Sequence, residues 1–327
     1  MSAAKKALAL IGGTGLTLML VAPAAWATPP GRNGRITFYA NRGENPATEI
    51  YSIAPTGRGL RTLTQLGTAT HEDWSPDGTR IVFDIDDPDS YICGNAIWIM
   101  NADGTDPTSL TGRGRGCERE PSFTPDGRRI VFSRQLCDHG CHTAIWSMNL
   151  HGGDRRVIVR TPGFDANDPN VSPDGSKVTF VVKLRKYRDL QGGALYIANM
   201  NGSHLQEIVP VSRDVGIKHD WAPDGSRIVF TEYLDYNQEG ALSGPHTPNV
   251  ATVRPDGSGL VELTHRSGSN VEAIAGSYSP DGRWIVFRFD NYDRFRLMKM
   301  RPDGSHKTLI VRERLKQRGM DWGPRSS

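Results

Sequence analysis

The sequence predicts an all-β fold: a six-bladed β-propeller of four-stranded antiparallel blades, closed by a C-terminal strand that joins blade 1. The first observation is the recurring phrase Asp-Trp-Ser-Pro-Asp-Gly at 73–78, whose Pro-Asp-Gly core returns with its proline at 76, 125, 173, 223 and 280. The spacings are 49, 48, 50 and 57 residues. The second observation is a series of glycine turns in phase with the first, at 54–57, 101–104, 150–153, 199–202, 254–257 and 301–304. Four short strands at this period are typical of propeller blades.

Each repeat supplies the four strands in a fixed order. A short polar segment such as 71–74 forms strand A and precedes the Pro-Asp-Gly turn, in which proline presets φ and glycine supplies a positive φ. A β-branched run such as Arg80–Phe83 follows as strand B, and a variable loop leads to strand C, for example Ala96–Asn101. The glycine turn and a short strand D complete the repeat. Six D strands can be counted, which gives six blades.

The first and last repeats complete one another. Residues 31–38 begin at the turn between strands A and B, so blade 1 lacks its own strand A. The segment Met320–Pro324 matches Asp73–Pro76, and we expect it to pair into blade 1 and remove the open sheet edges. One mostly large apolar residue per repeat should fill the wedge between neighbouring blades: Trp74, Phe123, Val171, Trp221, Tyr278 and Trp322.

The N-terminal 27 residues have the pattern of a secretory signal peptide. Lys5 and Lys6 precede an apolar run, Ala7–Ala25, and Ala25-Trp26-Ala27 is a small-residue cleavage site. We expect cleavage after Ala27, a single propeller domain over 28–327, and a periplasmic or secreted location. No later stretch is long or apolar enough to span a bilayer, and we expect a monomer without stable membrane insertion. The net charge of +3 and the lack of a basic, aromatic-interleaved strip argue against nucleic acid.

The four cysteines are expected to form disulfides. An even count in an exported chain favours pairing, and we prefer Cys137 with Cys141 and Cys93 with Cys117, although the sequence permits three pairings. A metal site is the alternative, because residues 137–142 read Cys-Asp-His-Gly-Cys-His.

The sequence contains no recognisable catalytic motif. It has no nucleophile elbow, phosphate loop or His-Glu-x-x-His helix, and its many Asp-Gly pairs fit turns. Function is therefore expected at the central channel and on the loops between strands B and C. Small polar residues one position before the wedge residues could ring the channel mouth, with histidines just before them. The candidate binding residues are Asp73, Asp220, Asp321, Asn170, His71 and His219. Hydrogen bonding to neighbouring strands and to channel water is the alternative role.

Two of the B–C loops are candidate binding loops. One carries the basic cluster at 183–188, and the other, at 233–248, carries Tyr233, Tyr236 and His246. A tolerated insertion is the alternative.

The phrases at 74–83 and 97–111 resemble the repeat of TolB-type six-bladed propellers, over essentially 31–327. That resemblance implies a role in the cell envelope, since TolB-type propellers serve the Tol–Pal system and bind the peptidoglycan-associated lipoprotein. Members of that family carry an α/β domain ahead of the propeller, for which we expect no counterpart here. We therefore expect a non-catalytic scaffold without a cofactor, whose partner is a protein or a cell-envelope polymer. The alternative is a polysaccharide-acting enzyme, similar to oligogalacturonate lyases, with a metal held by histidines near the channel.

Overall fold

The computed structural model describes residues 31–41, 47–86, 94–112, 117–136, 141–160, 163–184, 193–236, 242–265, 271–291, 294–313 and 315–326. Within these ranges the chain forms six four-stranded antiparallel sheets, so the predicted six-bladed propeller is confirmed.

The first three blades contain the first eleven strands of the chain and the last. Blade 1 consists of β1 (Asn33–Asn41), β2 (Thr48–Ile53), β3 (Arg61–Thr62) and β24 (Arg318–Pro324). Blade 2 consists of β4 (Ala69–Trp74), β5 (Arg80–Ile85), β6 (Ala96–Asn101) and β7 (Thr108–Ser109). Blade 3 consists of β8 (Glu118–Phe123), β9 (Arg129–Leu136), β10 (His142–Asn149) and β11 (Arg156–Val159).

The other three blades follow the same order. Blade 4 consists of β12 (Phe164–Val171), β13 (Lys177–Leu184), β14 (Ala194–Asn199) and β15 (Gln206–Val209). Blade 5 consists of β16 (Val215–Trp221), β17 (Ile228–Tyr236), β18 (Leu242–Val253) and β19 (Val261–Glu262). Blade 6 consists of β20 (Val271–Tyr278), β21 (Ile285–Asn291), β22 (Arg294–Met300) and β23 (Thr308–Glu313). The innermost strands β24, β4, β8, β12, β16 and β20 contact one another around a closed ring.

The C-terminal strand closes the ring as predicted. Strand β24 pairs antiparallel with β1, with Trp322 opposite Ile36 and Asp321 opposite Thr37. The Asp321 carboxylate then accepts the backbone N–H of Trp74 at 3.0 Å, which ties the closing strand to blade 2. The two ends of the propeller are thus joined by a ladder and by a side-chain bond.

The wedge residues fill the space between blades, as the repeat predicts. All six are at most 6% exposed, and each belongs to an apolar cluster formed by neighbouring strands. The indole N–H groups of Trp74 and Trp221 donate to Thr37 Oγ1 and Thr179 Oγ1 of the preceding blade, both at 3.0 Å. Burial of a large apolar group contributes about 1.5–3 kcal/mol, so this position is a principal source of blade cohesion.

The prediction of a long loop in blade 5 is wrong. Residues 233–236 and 242–248 are not loop but extend β17 and β18 into a long hairpin, with Tyr233 opposite Pro248 and Tyr236 opposite Leu242. Tyr233 and Tyr236 suit a strand, and the ladder continues although the returning strand contains Gly244, Pro245 and Pro248. Likewise Lys183 and Leu184 belong to β13, while residues 185–188 of the basic cluster lie outside the described residues.

Several other expectations fall partly or wholly outside the described ranges. Residues 1–30 are not described, so the signal peptide and its cleavage stay predictions. Cys93 and Cys137 are not described either, so the disulfide pairing also stays a prediction. In the described part of the chain, helix is confined to a single 3-10 turn, Val211–Arg213, and none is long and apolar enough to cross a membrane.

Candidate functional site in the central channel

A cavity of about 480 Å³ opens at one end of the central channel. Its lining residues on the innermost strands lie from the middle onward in β4, β8, β12 and β16 and in the first half of β20 and β24. The Pro-Asp-Gly turns lie beyond the last residues of β4, β8, β12, β16 and β20. The titratable side chains that line the cavity come from all six blades. They are Tyr39, His71, Glu72, Asp73, Glu120, Asp168, Lys218, His219, Tyr233, Glu272, Arg288, Lys316 and Arg318.

Four of these residues sit on bulges of the innermost strands. His71, Glu120, Asp168 and Lys218 have φ values of 50°, 54°, 52° and 76°, a left-handed conformation that normally favours glycine. The register between strands A and B shifts at each of them. A bulge changes the direction in which a side chain points. Here each bulge places one titratable side chain in the cavity wall, from four different blades. Each such residue costs on the order of 1 kcal/mol of strain, which the surrounding structure must offset.

Carboxylates brace these bulges from blade to blade. Asp84 accepts the backbone N–H of Glu120 at 2.8 Å, and Glu120 accepts that of Asp168 at 2.7 Å. Asp168 in turn accepts the backbone N–H of Lys218 at 2.6 Å. Across the next interface, Thr231 Oγ1 accepts the N–H of Ala275 at 2.9 Å. Hydrogen bonds between a side chain of one blade and the backbone of the next therefore run along the cavity wall and fix where each lining group lies.

The two predicted histidines both line the cavity but have separate partners. His71 Nδ1 lies 3.1 Å from both carboxylate oxygens of the buried Asp84. Burial alone would lower the pKa of His71, but the charge and the hydrogen bond of Asp84 outweigh this effect and raise the pKa to about 9. His219 is buried, with Nδ1 3.2 Å from Asp168 Oδ2 and Nε2 2.8 Å from Thr179 Oγ1. Both nitrogens of His219 are thus engaged within the protein.

The predicted ring of small polar residues has a structural role between blades. Asp73 and Asp220 accept the backbone N–H groups of Phe123 and Tyr278 at 2.7 and 2.8 Å, in the same way as Asp321 accepts that of Trp74. Asn170 donates to the backbone oxygen of His219 at 3.1 Å. Asp73 and Asn170 also line the cavity, while Asp220 and Asp321 lie beyond it.

The negative charges of this ring act on the ammonium group of Lys218. Burial lowers the pKa of the Lys218 ammonium, but the negative charges of Asp321, Asp73 and Asp220 raise it above its ordinary value. Burial and the nearby Asp321 raise the pKa of Asp73 well above its usual range. A single lysine therefore neutralises part of a buried acidic ring at the floor of the cavity.

A second charged group, which the sequence analysis missed, lies on blade 6. The buried Arg288 donates to Glu272 Oε2 at 2.7 Å and to the backbone oxygen of Gln317 at 2.6 Å, and its Nε lies 2.7 Å from Asp290 Oδ2. Burial raises the pKa of Asp290 to about 6 despite the nearby guanidinium. Lys316 Nζ lies 4.0 Å from Glu272, and Arg318 is exposed at the rim.

A signal for part of this group was present in the sequence. Arg288 directly follows the phenylalanine of the strand-B phrase, as do Tyr39, Asp84, Ser133 and Thr231. Asp84 lies 3.1 Å from His71 Nδ1 at the bulge of blade 2, and Ser133 donates to Glu120 at the bulge of blade 3. Thr231 and Arg288 at this position likewise bind residues of an innermost strand.

The described residues offer no obvious metal centre. No group of three or more His, Cys, Asp or Glu side chains among them is arranged to hold a metal ion. The Cys-Asp-His-Gly-Cys-His segment lies mostly outside the described residues, so its metal alternative stays untested.

Comparison with known proteins supports the fold. No protein-family model matches the chain, and no curated protein matches it. Among solved structures, TolB from Acinetobacter baumannii is similar with a TM-score of 0.67 and 20% identity over 89% of this chain and 67% of that one. A putative TolB from Agrobacterium tumefaciens has a TM-score of 0.61 and 18% identity over 87% and 91% of the two chains. An oligogalacturonate lyase in complex with manganese has a TM-score of 0.54 and 13% identity over 87% and 75%. At these identities the likeness shows a TolB-like propeller fold and leaves function to the site.

Proposed function

We propose that this TolB-like propeller is an exported, non-catalytic binding scaffold, which holds a protein partner or a cell-envelope polymer at its central cavity. One observation carries the proposal: a cavity of about 480 Å³ whose charged lining is held in place by bonds between blades. A concave site with few, fixed polar groups is the usual form of a ligand site. Preorganised groups lose little conformational freedom when a ligand binds.

The arrangement of the histidines favours binding over metal-dependent catalysis. An enzyme of the lyase type would need histidine nitrogens that are available to a metal. Both ring nitrogens of His219 are engaged, by Asp168 and Thr179, so this histidine has none left for a metal. Among the described residues His71 has only Nδ1 engaged, but despite burial Asp84 raises its pKa to about 9, so its protonated form competes with a metal at neutral pH.

The export part of the proposal depends on the N-terminal sequence pattern. N-terminal sequencing of the protein from its own source should begin at Thr28. A thiol titration of the unfolded, unreduced protein should find no free cysteine, because an oxidising compartment favours both disulfides. An N-terminus that retains Met1, together with four titratable thiols, would contradict export.

Affinity capture tests the binding role. Immobilised 28–327 would be exposed to detergent-solubilised envelope of its source, beside the rim variant Arg318→Glu. The matched control is Arg283→Glu, because Arg283 is exposed and lies by a Pro-Asp-Gly turn at the other end of the channel. We expect an envelope component that wild type and Arg283→Glu retain and Arg318→Glu loses. Equal retention by all three proteins, or no specific retention, would overturn the proposal.

A further inference from the structure

Opposite charges line opposite sides of the central cavity. Four carboxyl groups come from the neighbouring blades 2, 3 and 4: Glu72, Asp73, Glu120 and Asp168. Four cationic groups come from blades 5, 6 and 1 and the segment that joins the last two: Lys218, Arg288, Lys316 and Arg318. The two exceptions, His71 and Glu272, are paired with Asp84 and Arg288. The cavity therefore has an acidic wall and a basic wall.

Glu72 is the unusual member of the acidic wall. Its residue is 1% exposed, and neither carboxyl oxygen has a hydrogen-bond partner among the residues that the structure describes. It nevertheless lines the cavity. A buried polar group without a partner is costly, and such a group in a native structure calls for an explanation, of which a role in binding is one.

Gly319 lies next to this carboxyl group. A Cβ there would lie 2.6 Å from the Tyr39 ring and 3.8 Å from Glu72 Oε2, so the main chain at Gly319 packs closely beside both side chains. Arg318 directly precedes Gly319, is exposed, and forms no ion pair with a residue that the structure describes. An unpartnered carboxyl group and an available guanidinium thus belong to adjoining parts of one small cavity.

We infer that the cavity is a receptor for a small zwitterion, which places an ammonium group at Glu72 and a carboxylate at Arg318. A free α-amino acid or a short peptide carries both groups on one molecule. The volume of about 480 Å³ suits such a ligand, since small-molecule sites usually fall between roughly 300 and 1,000 Å³. This inference goes beyond the proposed function, since a free amino acid is neither a protein nor an envelope polymer, and it rests on that function only in placing the ligand at the same cavity.

The charges around Glu72 predict that ligand binding also changes the protonation of this carboxyl group. Burial raises the pKa of Glu72 well above its usual range, Asp321 raises it, and Lys218 and His71 lower it. Burial and the nearby Glu72 in turn raise the pKa of Tyr39 above its usual range. An ammonium group bound next to Glu72 favours the ionised form, so binding should release a proton.

Isothermal titration of 28–327 with the common α-amino acids and with di- and tripeptides tests the inference. Each ligand is matched by its N-acetylated and its C-amidated derivative. We expect at least one zwitterion to bind, and either blocking group to weaken binding at least tenfold. The binding enthalpy should change with the ionisation enthalpy of the buffer, because a proton is released. Glu72→Gln should abolish that buffer dependence and weaken binding at least tenfold.

Further variants separate the binding role from folding. Arg318→Gln should weaken binding at least tenfold, while Arg283→Gln at the other end of the channel should leave it unchanged. The thermal midpoint of Glu72→Gln should not fall, since the substitution breaks no bond between described residues.

Two results would overturn the inference: no member of the panel binds at millimolar concentration, or the blocked derivatives bind as tightly as the zwitterions. If envelope capture still depends on Arg318 in that case, the proposed scaffold role stands and only the ligand class is wrong. If capture fails as well, both fail.

Discussion

The Asp168 carboxylate accepts the backbone N–H of Lys218 at 2.6 Å across the interface between blades 4 and 5. The same oxygen lies 3.2 Å from Nδ1 of the buried His219. One side chain thus stabilises the left-handed backbone of a neighbouring blade and orients a histidine of the cavity wall. The bond shows how the propeller turns an interface between blades into a fixed binding surface.

Removal of this carboxylate should destabilise the protein markedly. Asp168→Ala leaves two donors without their acceptor, so we expect the free energy of unfolding to fall by about 2–4 kcal/mol. Asp168→Asn should lose less, because its amide oxygen can accept one bond and asparagine tolerates a left-handed backbone. Urea denaturation measures both. Asp86→Ala, an exposed carboxylate at the end of β5, is the control and should stay within about 0.5 kcal/mol of wild type. Equal losses for the Asp168 and Asp86 variants would contradict the bracing role.

The contribution of the closing strand to stability can be tested at Trp322. Trp322 is 2% exposed between blades 1 and 6, so Trp322→Ala should lower the free energy of unfolding by about 3–5 kcal/mol. Trp284 is a suitable comparison, because it lies half-buried on blade 6 with Arg301 and Lys299 over its ring at 4.2 and 4.7 Å. Its replacement by alanine should cost about 1 kcal/mol. If both variants unfold at the same denaturant concentration, Trp322 does not hold the ring closed.

The pairing of His71 with Asp84 predicts a pH dependence of stability. The pKa of His71 is raised from 6.5 in the unfolded chain to about 9 in the folded protein, so protonation of this histidine favours the folded state. The contribution is fully present below pH 6.5 and is lost as the pH rises through 9. With 26% of the His71 side chain exposed, we expect it to amount to about 1–2 kcal/mol.

His71→Asn removes the titrating group and keeps a residue that accepts the left-handed backbone. The free energy of unfolding, measured in urea between pH 6 and 10, should therefore fall less steeply for the variant than for wild type. Parallel profiles for the two proteins would show that the His71–Asp84 pair does not stabilise the fold.

The sequence predicts the architecture well because the turns and the wedge residues repeat. Pro-Asp-Gly turns and one apolar residue per blade are local signals, and their period alone determines six blades and the role of the C-terminal strand. The same period also located much of the site, since His71, Asp73, Asn170 and His219 all line the cavity.

The finer geometry was less predictable because the bulges have no glycine signature. Glu120 and Lys218 adopt a left-handed conformation that is uncommon for their residue types, so the sequence does not mark the change in side-chain direction there. Asp220 and Asp321 occupy the repeat position expected for the channel mouth but accept backbone bonds from the next blade. A repeat fixes where a residue lies along the strand, whereas its partner depends on the neighbouring blade.

The central claim is that binding takes place at the cavity end of the channel. Site-specific photocrosslinking in the living source tests it most directly, with a photoreactive phenylalanine analogue in place of Tyr233, which lines the cavity, and, as the control, at the exposed position 283 near a Pro-Asp-Gly turn. We predict a discrete adduct with an envelope component from position 233 and none from position 283. An adduct from position 283 alone, or adducts of equal yield from both positions, would contradict the account.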